Sequence, residues 1–276
     1  MNSSPSVGII GGNGIMGSFF ADFFNRKGFD VLVNDIGTKL SKRKLAQKSD
    51  VIFFAVPIHL TEKVIKEVLP YTNEKQLLLD CTSIKVRPIN VMMKSKASVI
   101  GLHPMFRPSP LGLKNQTIVM CVGRAQKETA LWIEKLFKDD GAKITRMTPK
   151  EHDELMSVIQ VLLHFHTIVL GHTMRKIGMP IKKTLAVASP IYKLEMDMIG
   201  RIFSQDPTLY GSLQMLNPQT KKIIKMLFKE TEDLASVIAK KDLNKFKKMF
   251  GETSKFLGRF KDDAMEETNR LLTYIK

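Results

Sequence analysis

Through the first 146 residues, short apolar runs alternate with segments whose apolar positions recur every three or four residues. Ser6–Ile10 reads as a strand, Phe19, Phe20, Phe23 and Phe24 repeat at helical spacing, and Val31–Val33 reads as a second strand. Lys39–Ala46 is basic and poorly periodic, either a linker or a short helix. Asp50–Val56 (DVIFFAV) is continuously apolar, as expected of a strand covered on both faces of a parallel sheet, and Pro57 ends it. Helical periodicity over Thr61–Leu69, Val86–Met93 and Lys127–Lys138 separates further strand-like runs at Gln76–Asp80, Ser98–Leu102, Thr117–Val122 and Ala142–Arg146. Strands and helices in this alternation predict an α/β Rossmann-type, doubly wound N-terminal domain over residues 1–148.

The period then changes. Thr148, Pro149 and Glu151 form the N-cap, first position and third position of a capping box. Beyond it, apolar residues advance by three and four (Leu155, Ile159, Leu162, later Ile223, Met226 and Leu227) and no strand-like run follows. Residues 149–276 are therefore expected to form an all-α C-terminal domain. Val158–Gly171, the most apolar long segment, contains Gln160, His164 and His166 and reads as too short and too polar to span a bilayer.

Composition narrows the function classes. The chain has 276 residues, of which 43% are hydrophobic, enough for a substantial core. Its net charge of +16 raises three possibilities: nucleic-acid binding, steering of an anionic ligand, or solubility. No nucleic-acid module signature is present, and the paired lysines 182–183, 221–222 and 247–248 are spread along apolar-periodic segments as solvated helix faces would be. No nucleic-acid or membrane partner is expected. Cys81 and Cys121 are far apart and form no C-x-x-C pair, which fits reduced thiols in a cytoplasmic protein, and Met1–Pro5 lacks a signal-peptide core.

The candidate chemistry begins at Gly12-Asn13-Gly14-Ile15-Met16-Gly17. This G-x-G-x-x-G follows a strand and opens a helix, the context in which backbone N–H groups receive a pyrophosphate. Gly12 is assigned the tight turn, Gly14 the close approach of the phosphate, and Gly17 the helix–strand packing. Asp35, eighteen residues after Gly17, stands where a ribose 2′-hydroxyl needs an acceptor, so NAD rather than NADP is expected. Val56-Pro57, Asp80–Ser83 and Gly101–Phe106 close successive strands and should converge on the same crevice. There His103 is either a base that titrates near neutrality or an imidazole satisfying a strand-end carbonyl, and Ser83 could hydrogen-bond it or a reacting hydroxyl. Arg201, amid Met198, Ile199, Ile202 and Phe203, either snorkels to the surface or grips a carboxylate. No metal-ligand spacing occurs, so no metal is expected.

Six motifs in order give a family resemblance: GGNGIMG at 11–17, AVPIHLTE at 55–62, DCTSIK at 80–85, GLHPMFRP at 101–108, EHDELMSVIQVLLHF at 151–165 and SPIYKLEMDMIGRIFSQDP at 189–207. From Val7 to about Lys276 the chain resembles the prephenate dehydrogenase family, most of all the dehydrogenase half of bifunctional chorismate mutase–prephenate dehydrogenases. No mutase segment is recognised, so mutase activity is not expected of this chain. The resemblance implies NAD-dependent oxidative decarboxylation of prephenate to 4-hydroxyphenylpyruvate in tyrosine biosynthesis. His103 matches the catalytic histidine and Ser83 the serine beside it. Arg201 matches the arginine that binds a substrate carboxylate, and His164 a second histidine near the substrate. Gln160 and Lys193 complete the implied substrate set. The nucleotide set is Gly12, Asn13, Gly14, Ile15, Met16, Gly17, Asp35, Val56 and Pro57. A homodimer through the helical domain is implied likewise. Two departures bear on the substrate: Arg107 stands where close relatives have glycine, and Lys193 where they have arginine. Related enzymes oxidise arogenate or 4-amino-4-deoxyprephenate, and a non-catalytic NAD-binding regulator is the remaining alternative.

Overall fold

A computed structural model describes residues 5–274. The chain divides into two units, residues 1–157 with 211–218, and residues 158–210 with 219–276.

The first unit is a seven-stranded sheet in the order β2-β1-β3-β4-β5-β6-β7. Its strands are β1 (Ser6–Ile10), β2 (Asp30–Asn34), β3 (Val51–Phe54), β4 (Leu77–Asp80), β5 (Ser98–Pro104), β6 (Thr117–Arg124) and β7 (Lys143–Arg146). Between them run α1 (Ile15–Arg26), α2 (Lys42–Lys48), α3 (Ile58–Val68), α4 (Val86–Met92) and α5 (Lys127–Lys138). The basic stretch after β2 is thus a helix; the Ser41 side chain accepts from Lys44 N and starts it. The sheet is not wholly parallel, because β6 runs antiparallel to β5. The β5–β6 connection holds no helix, and a parallel return needs a crossover of a dozen residues or more, usually a helix.

Strand burial follows the doubly wound pattern. Val51–Phe54 and Leu77–Asp80 are buried throughout, since helices cover both faces. One face carries an aromatic core in which Phe20 meets Phe53 at 4.8 Å between ring centroids and Phe23 stacks on Phe137 at 5.2 Å. The other face packs Leu45, Ile52, Phe54, Ile65, Val68 and Met92.

The glycine turn sits at the carboxyl end of β1, and its roles differ in part from the sequence assignment. The residue that needs the left-handed region is Gly11, at φ +87°, not Gly12. Gly12 instead leaves room for Val33, whose Cγ1 would lie 2.5 Å from a Cβ there. Gly17 does the packing assigned to it: a Cβ would stand 2.0 Å from Gly11 O. Backbone cannot yield to that extent, so Gly17→Ala should cost about 3 kcal/mol, the upper part of the overpacking range. In a unit of this size that lowers the melting temperature by roughly 6–12 °C. Thermal unfolding followed by circular dichroism checks it.

The compact first unit extends past residue 148. The first unit keeps α6 (Pro149–Met156), begun by the Thr148–Glu151 capping box, and recovers Gly211–Pro218 from the helical half. The reason is polar anchoring: His152 and Asp153 are buried against β5 and the head of α4, and Asn217 Nδ2 donates to Asp153 O at 3.0 Å.

The second unit is helical: α7 (Leu163–Ile177), α8 (Ile181–Ala186), α9 (Pro190–Phe203), α10 (Pro207–Leu216, its second half in the first unit), α11 (Thr220–Ala239), α12 (Leu243–Leu257) and α13 (Phe260–Leu272). A π-helical turn, Ser157–Leu162, joins α6 to α7. The joined helix Pro149–Ile177 has 29 residues and a most apolar window of mean hydropathy 1.5, so by length and composition it is long and apolar enough to cross a membrane. Val158–Gly171, the apolar segment read from the sequence, is the middle of this longer helix.

Candidate active site

The first unit gathers its chemistry along the carboxyl edge of the sheet, where ligands of open α/β folds bind. At one place stands the glycine turn. Gly14 would carry a Cβ 3.4 Å from Gly11 O with nothing closer, so this turn approaches a ligand without obstruction. It caps α1 without a side-chain hydrogen bond, which leaves the helix N–H groups for an anion. Asp35 is fastened to the turn: its Oδ2 accepts from Asn13 N at 2.8 Å and its Oδ1 from Ile36 N at 2.7 Å. Val56 borders the same turn, its Cγ1 2.9 Å from where a Cβ on Gly11 would be. Pro57 caps α3; Ile15 opens α1, and Met16 packs against the core. These residues form a cradle that fits a dinucleotide.

Three strands away, about 14 Å at the usual strand spacing, β5 ends at His103-Pro104. His103 is 3% exposed. Its Nδ1 lies 2.8 Å from His152 Nε2, and His152 Nδ1 lies 2.8 Å from Asp153 Oδ1. The Asp153 carboxylate also accepts from Lys85 N at 2.8 Å and Val86 N at 3.0 Å, so it cannot turn away.

This chain of contacts has a polarity. A carboxylate only accepts, so His152 donates from Nδ1. The Nε2 of a neutral His152 then accepts, and His103 donates to it from Nδ1. Neutral His103 therefore carries its basic lone pair on Nε2, as in a base oriented by a third group. Burial holds His103 well below the ordinary histidine value, and nearby His152 and Lys85 lower it further. The imidazole thus remains a neutral base into mildly acidic solution. The sign for stability follows: below about pH 6.5 the unfolded imidazole binds a proton that the folded one refuses, so this group withdraws stability as pH falls.

Sequence reasoning brought His103 to this edge but missed its partners. The contacts His103–His152, Val86–Asp153 and Lys85–Asp153 span 49 to 68 residues. The available signal was the capping box, which marks a helix start just before two adjacent ionisable residues. Ser83 was expected to support His103. It is half-buried in the turn after β4, and its hydroxyl makes no hydrogen bond among the described residues; His152 meets Nδ1 of the imidazole. Burial raises the Cys81 and Cys121 thiols to about 12, so neither is a nucleophile near neutrality. Arg107 is exposed, with no ion pair among the described residues.

The remaining candidates belong to the second unit. Arg201 on α9 is exposed and lines a cavity of about 500 Å³ with Met174, Ile181, Leu185 and Met196; no carboxylate pairs with its guanidinium among the described residues. Lys193, two turns earlier, is already paired with Asp197 at 2.7 Å. His164 on α7 lies edge-on to Tyr210 at 4.9 Å, its Nδ1 is buried without a hydrogen-bond partner, and burial lowers its pKa. Gln160 lies in the π-helical turn, half-buried.

Two family models match in order. "Prephenate dehydrogenase, nucleotide-binding domain" covers residues 21–146, and "Prephenate dehydrogenase, dimerization domain" covers residues 148–252. The "Probable arogenate/prephenate dehydrogenase" of Methanocaldococcus jannaschii is 36% identical over 93% of this chain. The "T-protein" of Enterobacter agglomerans is 33% identical over 96%. The chain spans 62% of the length of the first and 71% of the second. Among solved structures, prephenate dehydrogenase from A. aeolicus, in complex with hydroxyphenyl propionate and NAD+, superposes with a TM-score of 0.74 at 19% identity, covering 96% of this chain and 98% of that one. Synechocystis arogenate dehydrogenase does so with a TM-score of 0.70 at 17% identity, covering 92% and 99%. A Rossmann-like sheet ending in a glycine turn and a buried imidazole, followed by helices that match the companion domain, has one consistent reading: the chain belongs to the prephenate dehydrogenase family.

Proposed function

We propose that this chain oxidises prephenate with NAD+, releasing CO2 and 4-hydroxyphenylpyruvate. The observation that carries the reading is the relay from Asp153 through His152 to His103, which makes His103 Nε2 the proton-accepting nitrogen. His103 takes the proton of the substrate 4-hydroxyl as a carbonyl forms there, with Ser83 as a second hydrogen-bonding group for that hydroxyl. When bound, the nicotinamide supplies the acceptor for the hydride leaving C4. As the ring carboxylate leaves as CO2, its electron pair enters the ring, which becomes aromatic, and the C4 oxygen takes the proton back from His103, so the protein's work is to position and polarise. Asp35 accepts from the ribose 2′-hydroxyl and would repel a 2′-phosphate, which favours NAD over NADP. The A. aeolicus neighbour, crystallised with NAD+, supports that choice.

Arg201 is assigned to a substrate carboxylate, supported by an exposed guanidinium with no ion pair among the described residues. Gln160, His164 and Lys193 complete the substrate set, Lys193 as the weakest member because Asp197 already engages it. Arg201→Gln should raise KM roughly tenfold to a hundredfold with little change in kcat, the worth of a charged hydrogen bond made in ground and transition states alike. Initial rates over a range of substrate concentrations decide it.

The family also includes arogenate and 4-amino-4-deoxyprephenate dehydrogenases by name. Side-by-side kcat/KM values for the three substrates, followed by NADH absorbance, test the proposal. Prephenate should be preferred, and no turnover of any of the three overturns it. A homodimer through the helical unit is part of the same reading. That unit exposes Leu163, Val169, Leu170, Phe228 and Phe250, and matches the family's dimerization domain. Light scattering should report a particle of two chains.

A further inference from the structure

Lys85 has no exposed side-chain surface, and neither has Asp80, which it pairs with. A buried ion pair adds little stability, because desolvation offsets the attraction. This one is not even fully satisfied: Asp80 Oδ1 is buried without a hydrogen-bond partner. Yet the fold makes room for it. Gly101 in β5 lies beside the lysine stem, and a Cβ there would come within 3.0 Å of Lys85 Cδ and 2.7 Å of Ile89 Cδ1.

What the lysine touches explains the arrangement. Its Nζ donates to Asp80 Oδ2 and, at 2.7 Å, to the carbonyl of Leu102, the residue before His103. Its backbone N–H donates at 2.8 Å to Asp153 Oδ1, the oxygen that also holds His152. One residue thus grips the strand end that carries the base and the carboxylate that orients the base's partner.

We propose that Lys85, with Asp80 as its counter-ion, is a positioning residue that clamps the His103 strand end to the Asp153 carboxylate and holds the imidazole relay in its working geometry. This rests on the dehydrogenase reading for its catalytic consequence, though not for its structural one. The charged and titratable groups gathered at the clamp are Lys85 at the head of α4, Asp80 on β4, and His152 and Asp153 on α6; the Cys81 and Cys121 thiols nearby stay neutral. The ammonium also adds to the burial that keeps His103 uncharged.

The test is a paired replacement, Lys85→Met with Asp80→Asn, so that no unpaired buried charge remains. The full chain should still unfold cooperatively and bind NAD within about twofold of the parent. Its kcat should fall at least tenfold with KM little changed, and the acidic limb of kcat/KM should move to higher pH. A kcat within twofold of the parent with an unmoved limb overturns the proposal. So does loss of cooperative unfolding together with NAD binding, which would make the pair a fold-holding element only. A second measurement needs no turnover. In nitrogen-15 spectra of histidine rings, parent His103 should remain the neutral Nδ1–H tautomer from pH 5 to 8, whereas the double variant should titrate or exchange tautomers. Identical ring spectra overturn the clamp even if no substrate is ever turned over. Altered spectra in a chain inert toward all three substrates would defeat the dehydrogenase reading and leave the clamp standing.

Discussion

His103→Asn should lower kcat by about 10²–10⁴-fold, the usual worth of a positioned acid–base group. NAD affinity should stay within about twofold. Asparagine retains a side-chain amide that can donate toward His152 Nε2, so the buried contact at 2.8 Å keeps a partner and the strand end has no reason to move. What disappears is the basic lone pair that the proposed reaction assigns to the substrate hydroxyl. The glycine turn is three strands away on the same sheet. Single-turnover rates and a separate NAD titration distinguish the two effects. A kcat within tenfold of the parent would mean that another group takes the proton.

Asp153→Asn should be nearly as damaging, although Asp153 contacts no substrate in this scheme. The carboxylate dictates which nitrogen of His152 carries its proton, and through it which nitrogen of His103 is basic. An amide can present either its oxygen or its NH2 to His152 Nδ1. In the second orientation the polarity reverses along both rings, and His103 Nε2 becomes a donor. A wrong tautomer in a comparable relay is a loss on the order of 10⁴ in kcat, and ~10²–10⁴ is expected here. The change also weakens the charged acceptor for Lys85 N and Val86 N, so a drop in stability of about 1.5–3 kcal/mol should accompany it. Kinetics are therefore measured well below the melting temperature. The His103→Asn/Asp153→Asn double variant separates relay from scaffold. Residues acting through one another are strongly non-additive, so it should be no slower than His103→Asn alone. Additive losses would break the link between the two residues.

Much of the architecture was legible because it is written in local periodicity. A continuous apolar run such as Val51–Phe54 has to be covered on both faces, and Thr148 with Glu151 caps a helix wherever that helix goes. The antiparallel β6 was not legible. Its run looks like any other buried strand, and its direction depends on a connection that contains no helix. Ser83, at a neighbouring strand end, was read as able to hydrogen-bond His103 or a reacting hydroxyl. The structure brings His152 to His103 Nδ1, from an element whose pairing leaves no periodic trace.

The sequence by itself determined the α/β character of the first unit, the glycine turn that opens α1 with Asp35 after β2, the helical second half and the position of His103 at a strand end. Each of these depends on residues close together in the chain, where backbone geometry and side-chain period speak directly. The tertiary structure alone decided that Gly11 rather than Gly12 takes the left-handed turn. It alone carried α6 and Gly211–Pro218 into the first unit and joined Asp80, Lys85, His103, His152 and Asp153 into one buried polar cluster. Buried polar groups must find partners wherever the fold brings them, and partners up to 68 residues apart meet only after the apolar faces have packed.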